Sequence, residues 1–328
     1  MSMKRAILFL QLGGPETLDD VRGFLYRLFS DPDVITVKSP LLRKTIAASI
    51  AVGRQKASKA LYAAIGGGSP IRRLTEEQAS GVEQILRAKG WDVAVRAAMT
   101  CSAPLVEDVV EELARAGATS FLALPLYPQY SLTTTKGALE RSRAAVAKSA
   151  PAGRLFEAHS FPAHPLFVEA HAELIREELA KFPDPRPEAV HLLFSAHSIP
   201  KKLVVQKGDP YAHQIEVSAS AIRKRLGWSG PSTLAYQSKL GPVEWLGPPT
   251  LGEIARLGAA GVRQLLVVPI AFVTDHVETL YEIDQLFGDA ARKAGIQQFR
   301  RTPGLNSRPT FLRGLADIAR SVNGFWDQ

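Results

Sequence analysis

The sequence predicts an α/β protein of two Rossmann-like halves, each a parallel sheet flanked by helices, related by internal duplication. Short apolar runs bounded by Gly or Pro alternate with amphipathic segments, as expected of parallel strands covered on both faces. Gly117–Tyr127 parallels Gly261–Ala271 at a constant offset of 144 (261 − 117), with Pro125 falling on Pro269. Upstream, Gly68-Ser69-Pro70 parallels Gly208-Asp209-Pro210, each leading into a helical pattern.

In chain order, strands are expected near residues 5–12, 92–98, 121–126, 155–158, 189–194, 233–236, 264–269 and 297–300. Helical spacing of apolar residues at i, i+3 and i+4 marks 18–29, 75–89, 105–116, 165–181, 211–226, 251–257, 277–293 and 309–322. The first strand, Ala6–Leu12, then corresponds to Ala189–Ser195, and the first half carries about 40 extra residues before its Gly-x-Pro. This gives an N-terminal domain over 1–160 with an insertion at about 30–62, a C-terminal domain over 161–300, and a terminal helix in 301–328 that returns to the first domain. The two halves are expected to face each other across a cleft. Pro183–Pro187 is a stiff turn rather than a long linker. Gly13-Gly14-Pro15 lacks the dinucleotide-binding glycine spacing, and its proline removes an amide donor that a phosphate would need.

The 328 residues, 46% hydrophobic and 22% charged, have the composition of a soluble globular protein. No apolar run approaches the roughly 18 residues of a membrane span, and no secretory or Arg/Ser-rich leader is recognisable, so a cytoplasmic location is expected. A single cysteine, Cys101, excludes an intramolecular disulfide. The net charge of +8 is unevenly spread: from Val34 to Thr75 there is no Asp or Glu, while Lys38, Arg43, Lys44, Arg54, Lys56, Lys59, Arg72 and Arg73 lie among apolar residues. This segment suits peripheral contact with an anionic membrane, or a carboxylated hydrophobic ligand; the plainer reading is a solvated surface helix. Few aromatics and no nucleic-acid motif argue against nucleic acid as a partner.

Two polar signatures end buried-strand patterns. One is Val190–Pro200, with His197; the other is Leu265–Leu280, with Asp275-His276-Val277-Glu278. Such groups sit at the carboxyl edge of a parallel sheet, where open α/β folds bind ligands. An imidazole facing a carboxylate there is equipped to take up protons and guide a divalent metal. On an α-helix, Asp275, Glu278 and Glu282 form one acidic stripe, and His276 lies off it unless the helix is locally widened. Duller readings stand beside these: Asp275 as a helix cap, Glu282 as a solvated charge, Trp245 as packing. His159, His164, His171, His191 and His213 lack comparable context.

Several motifs carry a resemblance when taken in order: Leu10–Thr17, Ile65–Ile71, Leu126–Ser131, Phe194–Pro200, Lys207–Tyr211, Gln237–Leu246 and Phe272–Glu282. Over nearly its whole length the sequence resembles ferrochelatases. The resemblance implies a chelatase-like fold and a lyase that inserts Fe²⁺ into protoporphyrin IX, giving protohaem and two protons. The alternatives are a coproporphyrin III ferrochelatase and a non-catalytic tetrapyrrole carrier. It further implies His197 and Glu278 as catalytic residues and metal ligands, with Asp275, His276 and Glu282 supporting an acidic proton path. Leu12, Phe29, Val34, Leu41, Leu42, Ile46, Arg54, Tyr127 and Trp245 are implied as porphyrin contacts. Iron and porphyrin are then substrates, and no permanently bound cofactor is expected. Some relatives carry a cysteine-ligated [2Fe-2S] cluster in a C-terminal extension; with its one cysteine far upstream, this chain is expected to hold none. A monomer is expected rather than a dimer. Thr100-Cys101 stands where many relatives carry an aromatic residue, and this changes one wall of the expected pocket.

Overall fold

The computed structural model describes residues 4–32, 34–35, 37–239 and 243–327. It divides into two compact units: Met1–Tyr127, Ser131–Ser160 and Leu312–Gln328 form one, and Pro128–Tyr130 with Phe161–Phe311 the other.

The first unit holds a four-stranded parallel sheet of β1 (Arg5–Gln11), β2 (Ala94–Met99), β3 (Ser120–Pro125) and β4 (Arg154–Glu157), in the order β2-β1-β3-β4. The second repeats this arrangement with β5 (Val190–His197), β6 (Ser232–Gln237), β7 (Gln264–Pro269) and β8 (Gln298–Arg301), in the order β6-β5-β7-β8. The central strands are continuous apolar runs because helices cover both faces. In the first unit, Leu8, Leu10, Phe121 and Ala123 pack against Val106, Val110 and Leu139 of flanking helices. In the second, Leu193, Leu265 and Val267 pack against Ile254, Ile283 and Phe287.

Strand register corrects the alignment of the two copies. Leu10 pairs with Pro125, and Ser195 pairs with the equivalent Pro269. The offset between β1 and β5 is therefore 185 (195 − 10), two residues more than matching Ala6 to Ala189 implies. Leu12, not Leu10 or Gly14, is thus the first unit's counterpart of His197. Apolar strands align almost equally well at neighbouring even shifts, because side chains alternate with a period of two.

The same polar residue explains why β5 runs on to His197 rather than ending at Phe194. Ser195 is fully buried, but its hydroxyl donates to Gln237 Oε1 (2.7 Å) and lies 3.0 Å from Thr250 Oγ1. With that group satisfied, the ladder continues and His197 pairs with Gln237.

The basic segment forms the helix of its plainer reading, and two further helices fall outside the expected set. Pro40–Ala63 occupies the basic insertion, capped by Ser39 with Pro40 in its first turn, and packs on the helix Val21–Ser30 through the small residues Ala47 and Ala51. Thr135–Ser149 buries mainly small side chains, Ala138, Ser142 and Ala145, so its apolar stripe is faint in sequence. Lys201–Lys207 is short and ends at Gly208 in the left-handed region. Residues 302–311 stay with the second unit: Thr302 N–H donates to Val267 O, Asn306 N–H to Val273 O, and Arg308 pairs with Glu173 and Glu177. Within the terminal helix Pro309–Ser321, the first unit resumes at Leu312. There Phe325 meets Phe156, and Trp326 meets Trp91.

Candidate active site

His197 ends β5, and its ring is presented at the carboxyl edge of the second sheet. Its carbonyl accepts from the Tyr211 hydroxyl (2.9 Å), and the next residue, Ser198, donates N–H to Gln237 O (2.8 Å). These contacts hold the strand end from both sides. Nδ1 of His197 lies 2.8 Å from Glu278 Oε2. The imidazole is 37% exposed and the carboxylate 25%, so the pair is sheltered yet open on one side.

Glu278 opens a π-helix, Glu278–Phe287, continued by an α-helical turn, Gly288–Lys293. Wide i→i+5 bonding is characteristic of functional helices and replaces the expected α-helix. The expected three-residue acidic stripe is thereby divided. Glu278 and Glu282 both reach Ser238: its Oγ lies 3.0 Å from Glu278 Oε2 and 2.6 Å from Glu282 Oε2, and its N–H donates to Glu282 Oε1 (3.1 Å). Gln237 Nε2 donates to Glu282 Oε2 and to the Glu278 carbonyl, both at 3.3 Å.

Asp275 precedes the helix and faces elsewhere. Its carboxylate accepts from Arg301 (2.8 Å), Asn306 Nδ2 (2.8 Å), Gly304 N–H (3.1 Å) and Thr279 Oγ1 (2.9 Å). A Cβ on Gly304 would fall 2.8 Å from Asp275 N, so this close approach requires glycine. His276 Nδ1 lies 2.9 Å from the Thr274 carbonyl, which can only accept, so Nδ1 carries the proton. The His276 ring stacks edgewise on Phe272, 4.7 Å away.

Charge follows this geometry. Burial opposes ionisation of both His197 and Glu278, but each outweighs that cost for the other: the imidazole is raised above its ordinary 6.5 and the carboxyl is held below its ordinary 4.5. Burial, and then the Glu278 charge, push Glu282 upward. For Asp275, burial is outweighed by Arg301 and the hydrogen-bond donors, and its carboxyl is lowered. The raised imidazole stabilises the fold fully below pH 6.5 and loses that contribution as pH rises through its folded value. Glu278 contributes above pH 4.5 and loses its share as pH falls. We therefore expect the His197 ring to titrate above 6.5 by NMR, and Glu278→Gln to bring its midpoint down. An unmoved midpoint would refute the coupling.

Trp245 lies in the second unit, half-buried, its backbone bridged to Pro200 and its indole Nε1 buried without a hydrogen-bond partner among the described residues. The other expected porphyrin contacts lie in the first unit. Phe29 is buried under the Arg54 guanidinium, 5.8 Å from the ring centroid. Val34, Leu41 and Leu42 are exposed, Leu41 at 78%. Leu12, Ile46 and Tyr127 are half-buried. Local spacing gives no signal for Gln237, Ser238 and Tyr211, although each lies in a motif that carries the resemblance.

A ferrochelatase family model matches residues 4–322. The chain belongs to the ferrochelatase family. It is 46% identical over 319 residues to the ferrochelatase of Synechococcus sp. (strain JA-3-3Ab), with 97% of this chain and 93% of that protein covered. It is 42% identical over 315 residues to that of Nostoc sp. (strain PCC 7120), covering 95% and 80%. Among solved structures, SirB from Bacillus subtilis with Fe³⁺ has a TM-score of 0.55 at 14% identity, covering 97% of this chain and 95% of that one. CbiX, the terminal enzyme for biosynthesis of siroheme in denitrifying bacteria, has a TM-score of 0.53 at 15% identity, covering 97% and 98%. These structures share the duplicated chelatase fold. By family the chain is an enzyme, a metal chelatase of the lyase class, with iron and a porphyrin as substrates. No helix among the described residues is long and apolar enough to cross a membrane.

Proposed function

We propose that this enzyme inserts Fe²⁺ into protoporphyrin IX, with His197 and Glu278 as the reacting pair. The observation that carries this reading is the 2.8 Å contact between His197 Nδ1 and Glu278 Oε2 at the sheet's carboxyl edge. A carboxylate on Nδ1 fixes the tautomer: Nδ1 keeps its hydrogen, and Nε2 offers the lone pair that takes a pyrrole proton. The macrocycle loses two protons, and one imidazole carries one at a time. His197 therefore hands on the first before taking the second. Glu282, three hydrogen bonds away through Glu278 and Ser238 and biased towards holding a proton, is suited to receive it. Nε2 holds the ion or a proton, never both at once; before it takes a proton, that nitrogen and one carboxylate oxygen leave most of the ion's coordination to water, so the four pyrrole nitrogens can claim it. Asp275 serves by anchoring the start of the π-helix, and His276 by the positive bias it lends to Glu278.

For the porphyrin, Leu12, Phe29, Val34, Leu41, Leu42, Ile46, Tyr127 and Trp245 supply apolar contact, and Arg54 a charge for a propionate. Several cations of the basic segment are already engaged: Arg43 with the Ser30 and Val37 carbonyls, Lys59 with Asp19, Arg72 with Glu16 and Glu76, and Arg73 with Glu77. That leaves Lys38, Lys44, Arg54 and Lys56, a number that does not discriminate between two carboxylates and four; the close family match through residues 237–245 is what favours protoporphyrin over coproporphyrin. Exposed Leu41 and Leu42 on the same basic helix also support peripheral contact with an anionic membrane. In anaerobic assays with Fe²⁺, we expect kcat/KM for protoporphyrin IX to exceed that for coproporphyrin III by about tenfold or more, the worth of one unpaired buried charge or more. A preference for coproporphyrin III would overturn the substrate assignment.

A further inference from the structure

Ser238 has a positive φ of 65°, and Asn306 is the only other non-glycine residue with one among those described. This conformation is disfavoured for a residue bearing a Cβ and persists where surrounding contacts enforce it. Here it aims both the N–H and the hydroxyl of Ser238 at the acidic pair.

The consequence for Glu278 is an asymmetry between its two oxygens. Oε2 meets both His197 Nδ1 and Ser238 Oγ, while Oε1 has no hydrogen bond among the described residues. We propose that Ser238 is a positioning residue for metal capture: with His197 it locks Glu278 through Oε2, so that Oε1 is the oxygen presented to Fe²⁺. The same hydroxyl stands between Glu278 and Glu282 and keeps the second carboxylate from turning onto the first. This rests on the reading that Glu278 receives the ion.

The internal duplication supplies an independent comparison. Leu10 pairs with Ala98 as Ser195 pairs with Ala235, so Cys101 is the first unit's counterpart of Ser238. Continuing the 144 offset places Thr134 at the position of Glu278. The copy that lacks the carboxylate also lacks the serine hydroxyl, as expected if the two act together.

Ser238→Ala and Ser238→Gly both delete the hydroxyl, but only glycine relieves the positive φ. In anaerobic steady-state assays with Fe²⁺ and porphyrin varied separately, both variants are expected to raise KM for Fe²⁺ about tenfold or more, the loss of one charge-assisted hydrogen bond. KM for porphyrin should stay near wild type, and glycine should rescue nothing. Wild-type kinetics in Ser238→Gly would assign Ser238 a backbone role only and overturn the proposal. So would a fall in kcat that tracks a lower Tm with KM for Fe²⁺ unchanged. Glu278→Gln is the reference. If it stays active, the reading beneath the proposal fails; if it is inactive while both Ser238 variants are normal, the positioning role alone fails.

Discussion

His197→Ala is expected to lower turnover by about two to four orders of magnitude, the usual contribution of a positioned general base, while porphyrin binding stays near wild type. His197 is held at three points: its backbone carbonyl by Tyr211, its strand by Gln237 and its ring Nδ1 by Glu278. The last leaves Nε2 as the nitrogen expected to take the proton. Alanine keeps the strand and its register, because the ladder uses only backbone groups, so the porphyrin contacts elsewhere persist. Truncation also leaves Glu278 without the imidazole that offsets the cost of its burial, and its carboxyl should rise towards the ordinary range. Proton acceptance and the ligand charge for Fe²⁺ are thereby weakened together. Anaerobic turnover with Fe²⁺, alongside fluorescence titration of the porphyrin, separates chemistry from binding. Turnover within about tenfold of wild type would remove His197 from the role of general base.

Asp275→Ala is expected to produce the largest loss of stability, about 3–5 kcal/mol, the cost of breaking a buried ion pair. Four donors converge on this carboxylate, and the Arg301 side chain is only 9% exposed. Without Asp275, Arg301 keeps Asp284, a partner 40% exposed to water. Gly304 N–H and Asn306 Nδ2 lose their acceptor as well. Because the Asp275 carboxyl is lowered on folding, its contribution is present above its ordinary 3.8 and is lost as pH falls through the folded value. The gap between wild type and variant should therefore be full at neutral pH and shrink in acid. Denaturant unfolding at several pH values tests this, and a loss below about 1 kcal/mol would show the network to be dispensable.

Much of this architecture is written in local pattern. Buried strands read as apolar runs, the matching prolines 125 and 269 reveal two copies, and His197 and Glu278 stand out because ionisable residues interrupt such runs. The eight strands fall within a few residues of their expected places. Helices with weak stripes, Thr135–Ser149 above all, escape because burial of alanine and serine leaves little contrast between faces.

Other features depend on partners distant in the chain. Arg301 claims Asp275 from 26 residues away, turning a residue of the expected acidic stripe into an anchor. Gln237 and Ser238 reach the acidic pair only because β5 and β6 are neighbours in the sheet. The two-residue shift between repeats is settled by which residues exchange ladder hydrogen bonds, a choice that alternating side chains leave open. The π-helix widens a segment whose apolar spacing suits an α-helix equally well. Periodicity along the chain specifies strands, copies and the two side chains proposed to react, since each is a property of neighbouring residues. Which carboxylate is tied down, and through which oxygen, follows from contacts across 26 to 81 residues, for which one-dimensional spacing carries no signal.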